Sequence, residues 1–339
     1  MVTIYDVAKK TGYSITTVSR ALNNYSDVSE KTKKVIVKTA EEMGYFPNSF
    51  ARSLTMKKSF TLGVIFVEDL GVGMKHPFFS AVIEDFKRRV EKFGYDLIFI
   101  NRYIGNEKKS YIDHAYYRGV DGIIVVCSNY DDPEVVKLIE SPLPSVVLNV
   151  HTDKTNVVYS NNGHACELVM DHLFSLGHTK IAHIAGASDT FTGKERVNGY
   201  KLALDKYDIP FKDTYIVDGG YFSYEGGYEA MNRLLALDEV PTAVFASGDI
   251  MAMGAIKAIK DAGLTVPDDV SIVGFDDIEL AKHITPSLTT IRQNTELIGK
   301  KAADLLINQI NNKDEDYSAV MLPVELIVRE STQDITNKE

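Results

Sequence analysis

The chain has 339 residues, 45% hydrophobic and 25% charged, a composition that excludes a disordered or fibrous protein and a length too great for one ordinary core. Its net charge of −10 would exclude an evenly basic nucleic-acid binder, but the charge is divided. Up to residue 59 there are ten Lys and Arg against five Asp and Glu, and 27 against 42 thereafter, so any phosphate binding is confined to a small basic head on an acidic body.

Met1 to Lys10 is charged and amphipathic, unlike a secretory leader, and no apolar run is long enough to span a bilayer. A cytoplasmic protein without a membrane partner is expected. The two cysteines, Cys127 and Cys166, lie in apolar segments and read as buried thiols, neither disulfide partners nor metal ligands.

In chain order, Thr3 and Asp6 form a capping-box pattern ahead of Ile4, Val7 and Ala8, and Gly12 ends that first short helix. Ser14 caps a second, with Val18, Ala21 and Leu22 inward and Ile15, Thr16, Thr17, Ser19 and Arg20 outward. Two short helices about a glycine turn, the second presenting hydroxyls and an arginine, read as a helix-turn-helix DNA reader. Ser29 opens a third helix, Glu30 to about Met43, expected to bury Val35, Ile36, Thr39, Ala40 and Met43. After Pro47 and Asn48, Ser49 to Met56 has helix-forming composition but only about two turns, too few to be stable without a partner.

From Phe60 the pattern becomes βα alternation. Apolar strands are expected at 61–67, 96–101, 122–127, 145–150, 157–160, 181–185, 215–218, 243–246 and 271–275, with amphipathic helices at 79–93, 165–176, 194–206, 224–237 and 252–262. Nearly continuous apolar strands between helices imply parallel sheets covered on both faces, and there are too many for one sheet. The expected architecture is a small all-α head plus an α/β body of two doubly wound lobes, with a ligand at the carboxyl ends of the strands.

The runs Thr3-Ile4-Tyr5-Asp6-Val7-Ala8, Thr17-Val18-Ser19-Arg20 and Gly44-Tyr45-Phe46-Pro47-Asn48, with Ala51-Arg52-Ser53-Leu54, resemble the head of the lactose-repressor (LacI/GalR) family of bacterial transcription regulators. The similarity continues to about Ser331. It implies a reader over 1–46, a hinge helix and linker over 47–59, and a two-lobed body of the periplasmic-binding-protein-like type I kind over 60–332. The N-lobe would take about 60–160 plus 292–321 and the C-lobe about 161–291 plus 322–332. Helix 296–309 would return to the first lobe and strand 324–328 to the second, leaving a tail at 333–339. The absence of a leucine-heptad tail suggests a homodimer rather than a tetramer.

The same resemblance assigns Ile15, Thr16 and Arg20 to base edges and Thr3, Tyr5, Ser14, Thr17, Ser19 and Asn23 to the phosphate backbone of double-stranded operator DNA. Leu54 would wedge into the minor groove at the centre of a palindrome. In the body, Asn149, Arg196 and Asp276 match positions that face the ligand, and Phe78, Phe79 and Phe222 would supply flat walls, with His76 close by. An arginine and a carboxylate in one crevice suit a hydroxyl-rich effector, so a sugar is the favoured ligand. A purine-responsive relative has an arginine where this chain has Thr190, which disfavours the alternative, a nucleoside or purine. Asp249 reads as a structural cap for the helix that follows it.

Other classes fit less well. A periplasmic-type sugar-binding protein would carry an export signal and no basic head. A carbohydrate-processing enzyme would need a carboxylate pair or a metal. No phosphate-binding glycine loop, nucleophile elbow or histidine pair at metal spacing is present, so no catalysis, cofactor or metal is expected.

Overall fold

Local sequence signals set the ends of the three head helices. The Thr3 N–H and hydroxyl donate to the Asp6 carboxylate at 2.9 and 2.7 Å, opening α1 (Ile4–Thr11) with an acid beside the positive end of the helix. Gly12 then adopts the left-handed region at φ 74° and donates to Ala8 O, a conformation that a side chain would strain. The Ser14 hydroxyl accepts the Thr17 N–H at 3.1 Å at the start of α2 (Ile15–Leu22). The Ser29 hydroxyl does the same for Thr32 at 3.2 Å before α3 (Glu30–Glu42).

Val7, Val18, Ala21, Ile36 and Ala40 form the head's core. Val35, expected inside, is instead 45% exposed. Residues 33, 36 and 40 share one face at 3.6 residues per turn, so the Lys33 stem occupies that face while its ammonium reaches Glu30 at 2.8 Å.

The structure of the chain, a computed structural model, describes residues 2–46, 58–66, 73–127, 132–312 and 316–336. The expected hinge helix and Leu54 fall outside them. The chain divides into two compact units, Met1–Phe60 and Thr61–Glu339.

In the body, chain order gives β1 (Thr61–Phe66), α4 (Pro77–Glu91), β2 (Asp96–Phe99), a short hairpin of β3 (Tyr103–Ile104) and β4 (Glu107–Lys108), α5 (Tyr111–Arg118), β5 (Gly122–Cys127), α6 (Pro133–Ile139), β6 (Ser145–Leu148) and β7 (Asn156–Ser160). Then come α7 (Asn162–Ser175), β8 (Ile181–Ala185), α8 (Phe191–Lys206), β9 (Ile216–Asp218), α9 (Tyr224–Leu235), β10 (Ala243–Ala246), α10 (Asp249–Asp261), β11 (Ser271–Asp276) and β12 (Thr289–Gln293). The last elements are α11 (Thr295–Asn311), β13 (Ala319–Leu322) and β14 (Val324–Ile327).

Two six-stranded sheets result, ordered β13-β7-β6-β5-β1-β2 and β14-β12-β11-β10-β8-β9. Every pairing is parallel except β14 against β12. These are the two doubly wound lobes expected of the body. The chain changes sheet after Ser160, after Gln293 and after Leu322. Helix α11 lies on the first lobe, where Arg89 Nε meets Asp304 Oδ1 at 2.7 Å and a Cβ on Gly299 would come within 2.5 Å of Phe86 N.

Each lobe has its own apolar core, Ile65, Ile123, Val125 and Val147 in one and Met170, Tyr200, Phe245 and Phe275 in the other. The hairpin, α5, α6, β12 and β13 were not legible as apolar runs. Tyr215 lies in a turn of 3₁₀ helix before β9 rather than in the strand. Asp249 is the first residue of α10, with Gly248 at the cap. Its carboxylate accepts from Ile278 N at 2.8 Å and from the Thr290 hydroxyl, so it ties α10 to the ends of β11 and β12 and does not cap its own helix. Among the described residues after Thr332, Gln333 and Ile335 are bonded to the body, Gln333 Nε2–H on Pro267 O at 2.6 Å and Ile335 N–H on Leu176 O at 2.9 Å. Cys166 is buried and Cys127 half-buried, both as free thiols that burial pushes up to about 12.

Candidate functional site

Two surfaces collect the residues singled out above, one on the head and one in the body. On the head, Ile15 is 40% exposed and Thr16 and Arg20 are exposed on α2, while Thr17 and Ser19 are half-buried. Most of the polar groups here already have local partners. The Ser14 and Thr17 hydroxyls are 2.9 Å apart, Thr3 is bonded to Asp6, and Asn23 Nδ2 donates to Ser19 O at 2.9 Å. Tyr5 stands out into solvent at 67% exposure. Arg20 is paired with Asp27 at 2.8 Å and lies over the Tyr25 ring.

In the body, Arg196 comes from the first turns of α8, whose start is fixed by Thr190: its hydroxyl accepts Gly193 N–H at 3.0 Å. The guanidinium is buried, donates through Nε to Asn162 Oδ1 at 3.0 Å and through Nη1 to Ser247 O at 2.5 Å, and lies 3.4 Å from the centroid of the Phe275 ring. Such a group is held flat and keeps its charge, because a guanidinium does not surrender its proton in proteins.

Asp276 ends β11 with φ at 118° and accepts Gln293 Nε2–H at 2.7 Å. Burial drives its pKa above the ordinary carboxylate range, against the pull of Arg196 and the Gln293 donor. Phe222, at φ 54°, lies near both. Its ring centroid is 5.8 Å from the Arg196 guanidinium, and a Cβ on Gly248 would lie 3.5 Å from Phe222 Cδ1 and 3.8 Å from Asp276 Oδ2. Arginine, carboxylate and ring thus converge on one spot in the second lobe.

A cavity of about 460 Å³ lies between Asp276 and the first lobe, lined by Phe78, Ala81, Asp276, Arg292, Gln293 and Thr295; of the three converging groups only Asp276 lines it. Phe78 is buried there, whereas Phe79 is half-buried and packs edge-on against Phe66 at 5.6 Å. His76 caps α4 with both ring nitrogens buried and without a hydrogen-bond partner among the described residues, and burial takes its pKa down to about 4. Asn149 is half-buried beyond β6 in the left-handed region at φ 55°. Gln293, Asn162 and the Ser247 carbonyl were missed in the sequence, because each acts through Arg196 or Asp276 and carries no motif of its own. Among the described residues no His, Cys, Asp and Glu cluster could hold a metal ion, and no helix is long and apolar enough to cross a membrane.

Comparison with known proteins matches the family profile described as "Bacterial regulatory proteins, lacI family" to residues 3–48, and that of the periplasmic binding protein-like domain to residues 170–332. The chain is 36% identical over 341 residues to the HTH-type transcriptional repressor PurR of Pectobacterium atrosepticum, covering 98% of each protein. It belongs to the LacI family.

Among solved LacI-family structures, the lac repressor dimer bound to operator and the anti-inducer ONPF superposes with a TM-score of 0.85 at 30% identity, over 98% of this chain and 99% of that one. The complex of the transcriptional regulator CelR with cellobiose gives 0.72 at 29% identity, over 98% and 100%. This LacI-family chain is therefore a DNA-binding transcriptional repressor and not an enzyme. Its head and two-lobed body are those of the family.

Proposed function

We propose that this repressor works as a homodimer, each head on one half of a palindromic operator, and that its effector is a purine base held between the lobes. The observation that carries the ligand is the convergence of Arg196, Asp276 and Phe222. A planar heterocycle stacks on an aromatic ring, a guanidinium presents parallel N–H groups to the carbonyl oxygen and ring nitrogen along one purine edge, and a carboxylate accepts from N–H groups on another. The full-length similarity to repressors named PurR, purine repressors, favours this ligand over the sugar expected from Arg196 and Asp276 alone.

Ile15, Thr16 and Arg20 would read bases, with Thr3, Tyr5, Ser14, Thr17, Ser19 and Asn23 on phosphates and Leu54 as the minor-groove wedge. His76, Phe78, Phe79 and Asn149 would close the first-lobe side of the effector site. Ligand binding shifts the balance between two arrangements of the lobes and so the separation of the hinge segments, with a coupling of ~1–3 kcal/mol.

A sugar effector is the second reading. Thr190 is occupied as a helix cap where a purine-responsive relative has an arginine, and the similar CelR was solved with cellobiose. Calorimetric titration of the full chain with hypoxanthine, guanine, ribose and cellobiose separates the two. Heat with a purine that disappears in Arg196→Ala supports the proposal, and heat with a sugar alone overturns it.

A further inference from the structure

The Arg20 side chain makes an ion pair with Asp27 at 2.8 Å, the two side chains 46% and 50% exposed. Its guanidinium also lies over the Tyr25 ring, 5.3 Å from the centroid. An exposed pair of this kind contributes little to stability, and a carboxylate on a phosphate-binding head costs attraction for DNA. Neither effect accounts for its presence. The two contacts hold the guanidinium from two sides: it lies over the Tyr25 ring, and Asp27 accepts from one terminal nitrogen. A guanidinium has five N–H donors, so four are left for base acceptors, and any restriction the two contacts place on the side chain reduces the rotamer freedom it must give up on binding DNA.

We propose that Asp27 is a specificity-determining residue, which with Tyr25 holds the Arg20 guanidinium in the orientation that reads one base pair in each operator half. The inference rests on the reading of Arg20 as a base contact. It assigns to the loop between α2 and α3 part of the sequence preference of the head.

The test uses the full chain. A randomised two-fold-symmetric duplex pool is enriched on the wild type, and the winning duplex and its single-pair substitutions are then bound by wild type, Arg20→Ala, Asp27→Ala and Asp27→Asn at fixed salt. Arg20→Ala is expected to abolish preference at one pair per half. Asp27→Ala should lower preference at that same pair by roughly threefold to tenfold, with affinity for random duplex equal or higher because a negative charge is gone. Asp27→Asn, which keeps an acceptor of the same shape, should fall between.

Unchanged preference at that pair in Asp27→Ala overturns the proposal. So does an equal loss of preference at every pair, the mark of a merely structural role, or a rise in operator affinity with preference intact, the mark of a mask. If Arg20→Ala moves no pair, the base-contact reading itself fails, a result distinct from any of these.

Discussion

Arg196 Nε donates to Asn162 Oδ1 at 3.0 Å, and Asn162 Nδ2 donates in turn to Ser160 O at 3.1 Å. The charged group at the convergence point of the second lobe is thus tied to the segment on which the chain has just left the first sheet. If Arg196 holds the effector as proposed, a ligand that pulls on the guanidinium would also pull on the crossover between the lobes.

Asn162→Ala would leave the Arg196 Nε–H buried without its acceptor, a defect of ~1–3 kcal/mol. Part of that loss should appear in ligand affinity, because the guanidinium is no longer aimed. We expect binding of hypoxanthine to weaken by about tenfold while binding of the wild-type-selected duplex by the ligand-free protein is kept. Calorimetry and duplex titration measure the two, and an unchanged hypoxanthine affinity would sink that link.

Asp276 sets stability against binding. Burial raises its pKa in the folded chain, so its stabilising state is the protonated one. That contribution is complete below the ordinary carboxylate range and is lost as pH rises through the raised value. Asp276→Asn removes the ionisation, so the ligand-free variant should gain ~1–2 kcal/mol near neutral pH, and little in acid, where wild-type Asp276 is protonated already. The same change takes an acceptor from the cleft and should weaken effector binding. Thermal melts across pH check the first half, and a variant less stable than wild type near neutral pH would contradict it.

Much of the fold was legible because its signals are local. Apolar runs such as Gly122–Cys127 and Ile181–Ala185 could only be buried strands, and Ser14, Ser29 and Gly12 mark helix ends by chemistry that needs no tertiary context. What escaped was either short or dependent on partners. The seven residues of α6 are too few to show a period, and β13 is an edge strand with Met321 52% exposed. Arg196 and Asp276 could be picked out as charges where strands end. Their supports could not, since Asn162 and Gln293 lie 34 and 17 residues away in sequence.

Gly227 and Gly254 have a packing role that sequence alone does not disclose. Helices α9 and α10 meet backbone to backbone there: a Cβ on Gly254 would lie 2.0 Å from Tyr224 O, and one on Gly227 would lie 2.1 Å from Met251 O. Neither neighbour is a flexible side-chain end that could move aside. Gly254→Ala should therefore cost ~1–3 kcal/mol through overpacking, despite the better helix propensity of alanine. Denaturant unfolding is the measurement, and a neutral or stabilising result would show that the two helices separate without penalty.

Ile36 tests whether reader and sensor are independent. It is fully buried in a core of seven buried residues, and truncating a buried isoleucine typically costs ~2–5 kcal/mol. That is comparable to the whole stability of a domain this small, whereas the body from Thr61 is a separate compact unit. In Ile36→Ala, binding to every duplex should therefore collapse together, in contrast to the single-pair loss expected of Asp27→Ala. The heat of hypoxanthine binding should be preserved. If that heat vanished as well, the sensor would depend on a folded head, and ligand control would have to be sought in their joint folding instead of in the lobes.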